Sequence, residues 1–266
     1  MNNLGISIIL PVLNEAENLK YLIPRISQKI NSLKLHYEIL VVDDNSTDNT
    51  KEILEELVHS NINVYHILRT KENSLPNSIF DGVKHSNFEN VMWLDADGSM
   101  DENAVEKLLI KFIDNNTKVF IGSRFVSGGG YKGTKDSEKK NFIKSFLNVF
   151  NSEDSNLAIL LSIIFNKILD SLLMVKVKDL TSGFIVGKKS YFEEEMFKNY
   201  IYGEYFISVI VNLYINKIEI EEVGYYCLVR KFGESKSSNS ILNMVLLSKP
   251  YILTAVQMRR KLNENS

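Results

Sequence analysis

The sequence predicts an α/β fold with a mostly parallel mixed sheet flanked by helices. Short apolar runs alternate with stretches of helical periodicity over roughly the first 125 residues, the pattern of strands joined by crossover helices. Most of the apolar runs end in a polar cluster. The chain has 266 residues, 44% of them hydrophobic and 24% charged, enough for one sizeable α/β core with an appendage.

The first strand is expected over Ile6 to Leu10, followed by a helix from Glu15 to Ser32 with Asn14 as its N-cap. A second strand, Glu38 to Val42, leads to a helix from Thr47 to Ser60 capped by Ser46 or Thr47. Val64 to Leu68 forms the third strand, with a helix from Ser78 to Ser86 after it. Val91 to Leu94 is the fourth, and Asn103 to Asn115 the helix that follows, before a fifth strand at Val119 to Gly122.

Ligands of open α/β sheets bind beyond the carboxyl ends of the strands. Those ends carry Pro11-Val12-Leu13-Asn14-Glu15, then Asp43-Asp44-Asn45-Ser46-Thr47-Asp48, then Asp95-Ala96-Asp97, then Ser123-Arg124. Alternate side chains of a strand face the same way, so Asp95 and Asp97 can converge where the chain leaves the sheet. Two anions so close repel unless a positive group sits between them, and hard cations such as Mg²⁺ or Mn²⁺ take oxygen ligands together with substrate phosphates. A purely structural reading also exists: an Asp-rich turn in which Asp101 and Glu102 open the next helix, and Asp48 sits in a helix's first turn.

Net charge is −2, which does not announce a nucleic-acid partner. The single cysteine, Cys227, excludes an intrachain disulfide and suits a reducing compartment. The N-terminus runs straight into the first strand with no visible export signal, so the cytoplasm is the expected side.

These motifs, with Ile121-Gly122-Ser123-Arg124, Thr181-Ser182-Gly183-Phe184 and Arg230-x-x-Gly233-Glu234-Ser235-Lys236, resemble the family 2 glycosyltransferases of GT-A fold. The nearest branch is the dolichyl-phosphate mannose synthase-like, or polyprenyl-phosphate glycosyltransferase, group. The resemblance runs from about Ile6 to Ser237, and it implies a GT-A domain over residues 1–237 with a C-terminal amphipathic helical segment over 238–266. It implies that Pro11, Leu13 and Glu15 line a nucleotide loop, that Val42 and Asp44 hold the nucleoside, and that Asp95 and Ala96 meet ribose and diphosphate. Asp97 would ligate Mg²⁺ or Mn²⁺, while Arg124, Arg230 and Lys236 grip phosphate. Asp97 and Arg124 are the residues expected to act in catalysis. Where relatives often have a further metal-binding side chain, this chain has Ser99, a weak ligand, so the metal would lean on Asp97, the diphosphate and water. The family's Gly-Leu stretch appears as Ser74-Leu75-Pro76, and its Pro near the last strand is Gly224.

The implied activity is inverting transfer of a hexose from GDP-mannose or UDP-glucose to a dolichyl or undecaprenyl phosphate at the cytoplasmic face of the membrane, the protein being peripheral or monotopic. Two alternatives stand beside it: transfer to a saccharide acceptor in cell-surface polysaccharide synthesis, and a non-catalytic nucleotide-sugar or lipid binder. A sugar hydroxyl would need a general base. Glu204 is the one candidate, and its structural alternative is a carboxylate at a helix N-terminus.

Gly128-Gly129-Gly130 opens an excursion to residue 178, with a basic run of Lys132, Lys135, Lys139, Lys140 and Lys144. In the helix expected over Leu157 to Val175, Ser162, Asn166, Lys167, Asp170 and Ser171 fall on one side of a wheel that is otherwise apolar. Charges in its middle argue against a span and suit either an interfacial helix or one packed on the sheet. Ile241 to Met258 is also apolar, interrupted by Lys249 and Pro250 and closed by Arg259-Arg260-Lys261, basic residues suited to anionic headgroups.

Overall fold

A computed structural model describes residues 4–60, 62–131, 155–230, 232 and 241–265. Seven strands form one sheet: β1 (Gly5–Val12), β2 (His36–Asp43), β3 (Val64–Leu68), β4 (Asn90–Trp93), β5 (Val119–Ser123), β7 (Ile185–Lys188) and β8 (Ile220–Gly224). Their spatial order is β3-β2-β1-β4-β7-β5-β8. All neighbours are parallel except β7, which runs antiparallel between β4 and β5. A two-residue ladder pairs β6 (Gly130–Tyr131) with β9 (Tyr226–Cys227).

Helices cover both faces, which is why the strands read as unbroken apolar runs. Ile6, Ile8 and Leu10 of β1 pack against α1 (Ala16–Ser32), α2 (Thr50–His59) and α4 (Glu102–Asp114). Ile9 turns to the other face, into a core with α3 (Leu75–His85), α5 (Ser155–Leu173), α6 (Tyr205–Ile215) and α7 (Ile241–Glu264). The order reverses at β1, whose neighbours are β2 on one side and β4 on the other, so a crevice opens beyond the carboxyl ends of β1 and β4.

Helix starts differ from the sequence expectation for identifiable reasons. Asn14 caps nothing: it takes a left-handed φ of 61° and its Oδ1 accepts from Thr47 N at 2.8 Å. α2 begins at Thr50, not Thr47, because Asp48 precedes the helix and its Oδ1 accepts from Thr50 N at 3.1 Å. Asp48 is therefore not a first-turn residue, and neither Ser46 nor Thr47 is a cap. α3 starts at Leu75, where Ser74 accepts from Asn77 N and Pro76 stands in the first turn, free of any duty to donate. Asp101 caps α4 as expected, its Oδ1 accepting from Ala104 N at 2.9 Å.

α5 and α7 lie against the domain. Asn166, Leu169 and Leu173 of α5 are 2% exposed or less. The expected polar side of this helix is divided: Asn166 faces inward while Lys167, Asp170 and Ser171 face outward. α7 continues through Pro250 without a break, with Ala255 and Leu262 buried and Lys261 Nζ donating to Asn212 Oδ1 at 2.6 Å. Among the described residues, no helix is long and apolar enough to cross a membrane. The basic run from Lys132 to Lys144, and Lys236, lie outside the described residues.

Candidate active site

The loops after β1 and β2 are zipped into one wall. Asn14 N donates to Ser46 Oγ at 2.8 Å, and Ala16 N donates to Asp48 Oδ2 at 3.0 Å. Pro11 stands in register with Val42, and Val42 is fully buried in the core beside Gly82 and Ile9. Leu13 and Glu15 are partly exposed at the rim, and Glu15 accepts from Asn18 Nδ2 at 2.6 Å.

Asp44 is buried and held from two sides. Its Oδ2 accepts from Ser74 N at 2.6 Å, and its Oδ1 pairs with Arg69 Nη1. Arg69, 5% exposed, also donates to Asp81 Oδ2 at 2.9 Å and Ser78 Oγ at 3.0 Å. The Asp81 carboxyl sits below its ordinary range: burial raises it, but Lys84 and Arg69 together outweigh that. Asp43, beside Asp44, accepts from Ser46 N at 2.8 Å and lies 3.0 Å from His66 Nε2. Arg69 is a residue the sequence reading missed. It follows β3 at the same edge as the other clusters, so asking what stands at the end of every strand would have found it.

Asp95, Ala96 and Asp97 leave β4 at the switch point. Asp97 is 5% exposed, and its Oδ1 accepts from Ser99 N at 2.9 Å. Arg230 Nη2 stands 2.9 Å from Asp97 Oδ2. Asp95 accepts no hydrogen bond among the described residues. Burial, then the Asp97 carboxylate, push its carboxyl up to about 7, with Arg230 and Arg124 pulling the other way. Two adjacent carboxylates in a confined space are donors suited to a hard dication. Ser99 is buried beside them. Among the described residues no three His, Cys, Asp or Glu side chains form a metal cluster, so an ion here would complete its shell with substrate oxygens and water.

Arg124 follows β5 and is clamped. Its Nε donates to Asp179 Oδ2 at 2.8 Å and its Nη2 to Asp179 Oδ1 at 2.7 Å, the bidentate fork. Nη2 also donates to Thr181 Oγ1 at 2.8 Å, leaving Nη1 without a hydrogen bond among the described residues. Burial alone would lower the pKa of Arg124, but Asp179 more than reverses this and the guanidinium stays charged. Asp179, fully buried, is in turn fixed by its own N–H on Glu222 Oε1 at 3.1 Å. Neither Asp179 nor Glu222 was singled out in the sequence, because no local pattern links them to Arg124. The Ser182 hydroxyl, next to Thr181, is buried with no partner among the described residues.

Glu204 is 4% exposed, and its carboxylate accepts from Ile201 N at 2.9 Å and Tyr202 N at 3.1 Å. Both oxygens thus hold the turn before α6.

A mostly parallel sheet with a carboxylate pair at its switch point is the GT-A arrangement. Glucosyl-3-phosphoglycerate synthase from Mycobacterium tuberculosis, solved with Mn²⁺, UDP and phosphoglyceric acid, superposes with a TM-score of 0.62 at 15% identity, covering 96% of this chain and 78% of that one. Its complex with Mn²⁺, UDP-glucose and glycerol 3-phosphate gives 0.59 at 14% identity, covering 96% and 79%. The chain belongs to glycosyl transferase family 2, whose model matches residues 7–196. Among curated relatives, dolichol-phosphate mannosyltransferase of Pyrococcus furiosus is 40% identical over 124 residues, 47% of this chain and 34% of that protein. The enzyme of the same name from Mycosarcoma maydis is 33% identical over 135 residues, 49% of this chain and 45% of that protein. The matches therefore span less than half the length of these relatives.

Proposed function

We propose that the protein transfers a hexose, mannose or glucose, from GDP-mannose or UDP-glucose to a polyprenyl phosphate at the cytoplasmic face of a membrane. The observation that carries this reading is the Asp95–Asp97 pair at the switch point, within the electrostatic reach of Arg124 and Arg230. Pro11, Leu13, Glu15, Val42 and Asp44 form the nucleoside side of the crevice. Asp95 and Ala96 face ribose and diphosphate, Asp97 holds Mg²⁺ or Mn²⁺ with Ser99 beside it, and Arg124, Arg230 and Lys236 grip phosphate. The names of the curated relatives support the acceptor class.

A bound dication would add positive charge at the diphosphate leaving group. The chain supplies the rest. Arg230, which faces Asp97, can turn its remaining donors to the diphosphate, and Nη1 of Arg124 offers two donors to a second phosphate. A phosphate acceptor is ionised near neutral pH and requires no base, so direct displacement would invert the anomeric centre. The engagement of both Glu204 oxygens by backbone N–H groups favours such an acceptor over a sugar hydroxyl.

Membrane contact fits the outer faces of α5 and α7. Ile164, Ile168, Leu253 and Val256 are exposed there, along with Lys249 and Arg260. The test is incubation with radiolabelled GDP-mannose or UDP-glucose, Mg²⁺ and a short polyprenyl phosphate, followed by partition into organic solvent. Label moving to the organic phase with one donor is expected. Label that stays in water with every donor overturns the lipid-phosphate reading.

A further inference from the structure

The two flanks of α5 have opposite destinations. Ile164 and Ile168 are 44% and 46% exposed, whereas Asn166 is 2% exposed and turned into the protein. Its Oδ1 accepts from Leu180 N at 3.0 Å, and its Nδ2 donates to Thr181 Oγ1 at 2.9 Å. That same oxygen accepts from Arg124 Nη2 at 2.8 Å. One turn earlier, Ser162 Oγ lies 3.2 Å from the Tyr131 hydroxyl, and the Tyr131 ring centre is 5.6 Å from the Arg124 guanidinium carbon. The helix therefore reaches the site's arginine by two routes.

We propose that Asn166, acting through Thr181, is a positioning residue for Arg124, so that α5 sets the direction of the site's guanidinium. A hydroxyl has two acceptor lone pairs and one proton. Asn166 and Arg124 occupy the two lone pairs of Thr181, and its proton lies toward Asp179 Oδ1 at 3.5 Å. Asp179 fixes the plane of the guanidinium fork, and Thr181 takes the second hydrogen of Nη2. Among the described residues, that leaves only the Nη1 edge without a hydrogen bond. Without the amide of Asn166, Thr181 keeps Arg124 and Asp179 but loses its tie to α5, and the aim of that edge is loosened. The functional meaning rests on the reading of Arg124 as a phosphate-gripping group; the positioning itself does not.

The test compares Thr181→Val, which keeps the shape and removes the hydroxyl, with Thr181→Ser, which keeps the hydroxyl. Arginine Nε–H resonances are read by NMR in arginine-labelled protein, and the Arg124 signal is the one absent from Arg124→Lys. Wild type and Thr181→Ser are expected to share its position and slow exchange with water. Thr181→Val and Asn166→Leu are expected to move it and speed its exchange while keeping a cooperative melt. Should Asn166→Leu fail to fold, Asn166→Asp, which keeps the acceptor for Leu180 N and removes the donor to Thr181, decides in its place. Turnover is expected to fall about tenfold to a hundredfold in the Val variant, with donor KM unchanged and rescue by Ser. An Arg124 signal that Thr181→Val leaves in place, with unchanged exchange, overturns the proposal. Loss of transfer in the wild type with the expected resonances would sink the proposed function and leave the positioning intact.

Discussion

Arg230 and Asp97 form an ion pair, Nη2 to Oδ2 at 2.9 Å. The carboxylate proposed as metal ligand is thus already neutralised by the guanidinium proposed to grip phosphate. A dication arriving at Asp97 must compete with Arg230, and diphosphate gives the released guanidinium a new partner. Replacing Arg230 by Met is expected to tighten binding of Mn²⁺ alone, since nothing is displaced. The same variant should weaken the metal–nucleotide complex by about 1.5–3 kcal/mol, one charged hydrogen bond. Calorimetric titration with Mn²⁺, then with Mn²⁺ and nucleoside diphosphate, reads both.

Arg69 is the buried cation between Asp44 and Asp81. Arg69→Met leaves the buried Asp44 without its counter-charge, while Asp81 keeps Lys84, a loss of about 3–5 kcal/mol. Chemical denaturation should show that loss, and any folded fraction should bind donor more weakly because Asp44 loses one of its two anchors. A stability within 1 kcal/mol of wild type by the same measurement would refute this account of the pair.

Glu204 serves structure in this account. Glu204→Gln keeps one good acceptor for the two N–H groups of Ile201 and Tyr202, so a cost of about 1–2 kcal/mol in stability is expected, with turnover per folded molecule within a fewfold of wild type. A general base removed in the same way would cost about 10²–10⁴ in rate.

Cys227, the single thiol, lies among the site's charges. Burial pushes its pKa up to about 11, with Arg124 drawing it down and Asp97 and Asp95 adding to the rise. At pH 8 the native thiolate fraction is on the order of a hundredfold below that of an ordinary thiol of pKa about 8.5. Disulfide-reagent labelling should be correspondingly slower in native protein than in urea. Because the native thiol keeps its proton longer than the unfolded one, this group's contribution to stability falls as pH rises from about 8.5 towards 11.

Much of the fold was legible because both signals that specify it are local. Apolar runs of strand length marked β1 to β5 to within two residues at each end, and Val64–Leu68 matched at both. The helix starts were harder, since Asn14, Ser46 and Asp48 carry cap-forming side chains that are spent joining two loops 32 to 33 residues apart. The antiparallel insertion of β7 between β4 and β5 is a long-range event that no local pattern announces. At the site, Asp95, Asp97 and Arg124 declared themselves by standing at strand ends. Asp179 and Glu222 did not, because their roles depend on partners 43 to 55 positions away in the chain: Asp179 from Arg124 by 55 and Asp179 from Glu222 by 43. Asn166 fell on the polar side of a helical wheel, and only packing reveals that it points inward.

The nucleotide-sugar crevice proposed around Asp97 underlies each of these roles. Its most direct measurement is calorimetric titration of GDP-mannose and UDP-glucose into the protein with Mg²⁺ or Mn²⁺, repeated with chelator and with Asp97→Ala. The expected result is saturable binding of one donor that chelator and the substitution each weaken strongly. Binding of neither donor in the presence of metal, or binding indifferent to both chelator and Asp97→Ala, would contradict it.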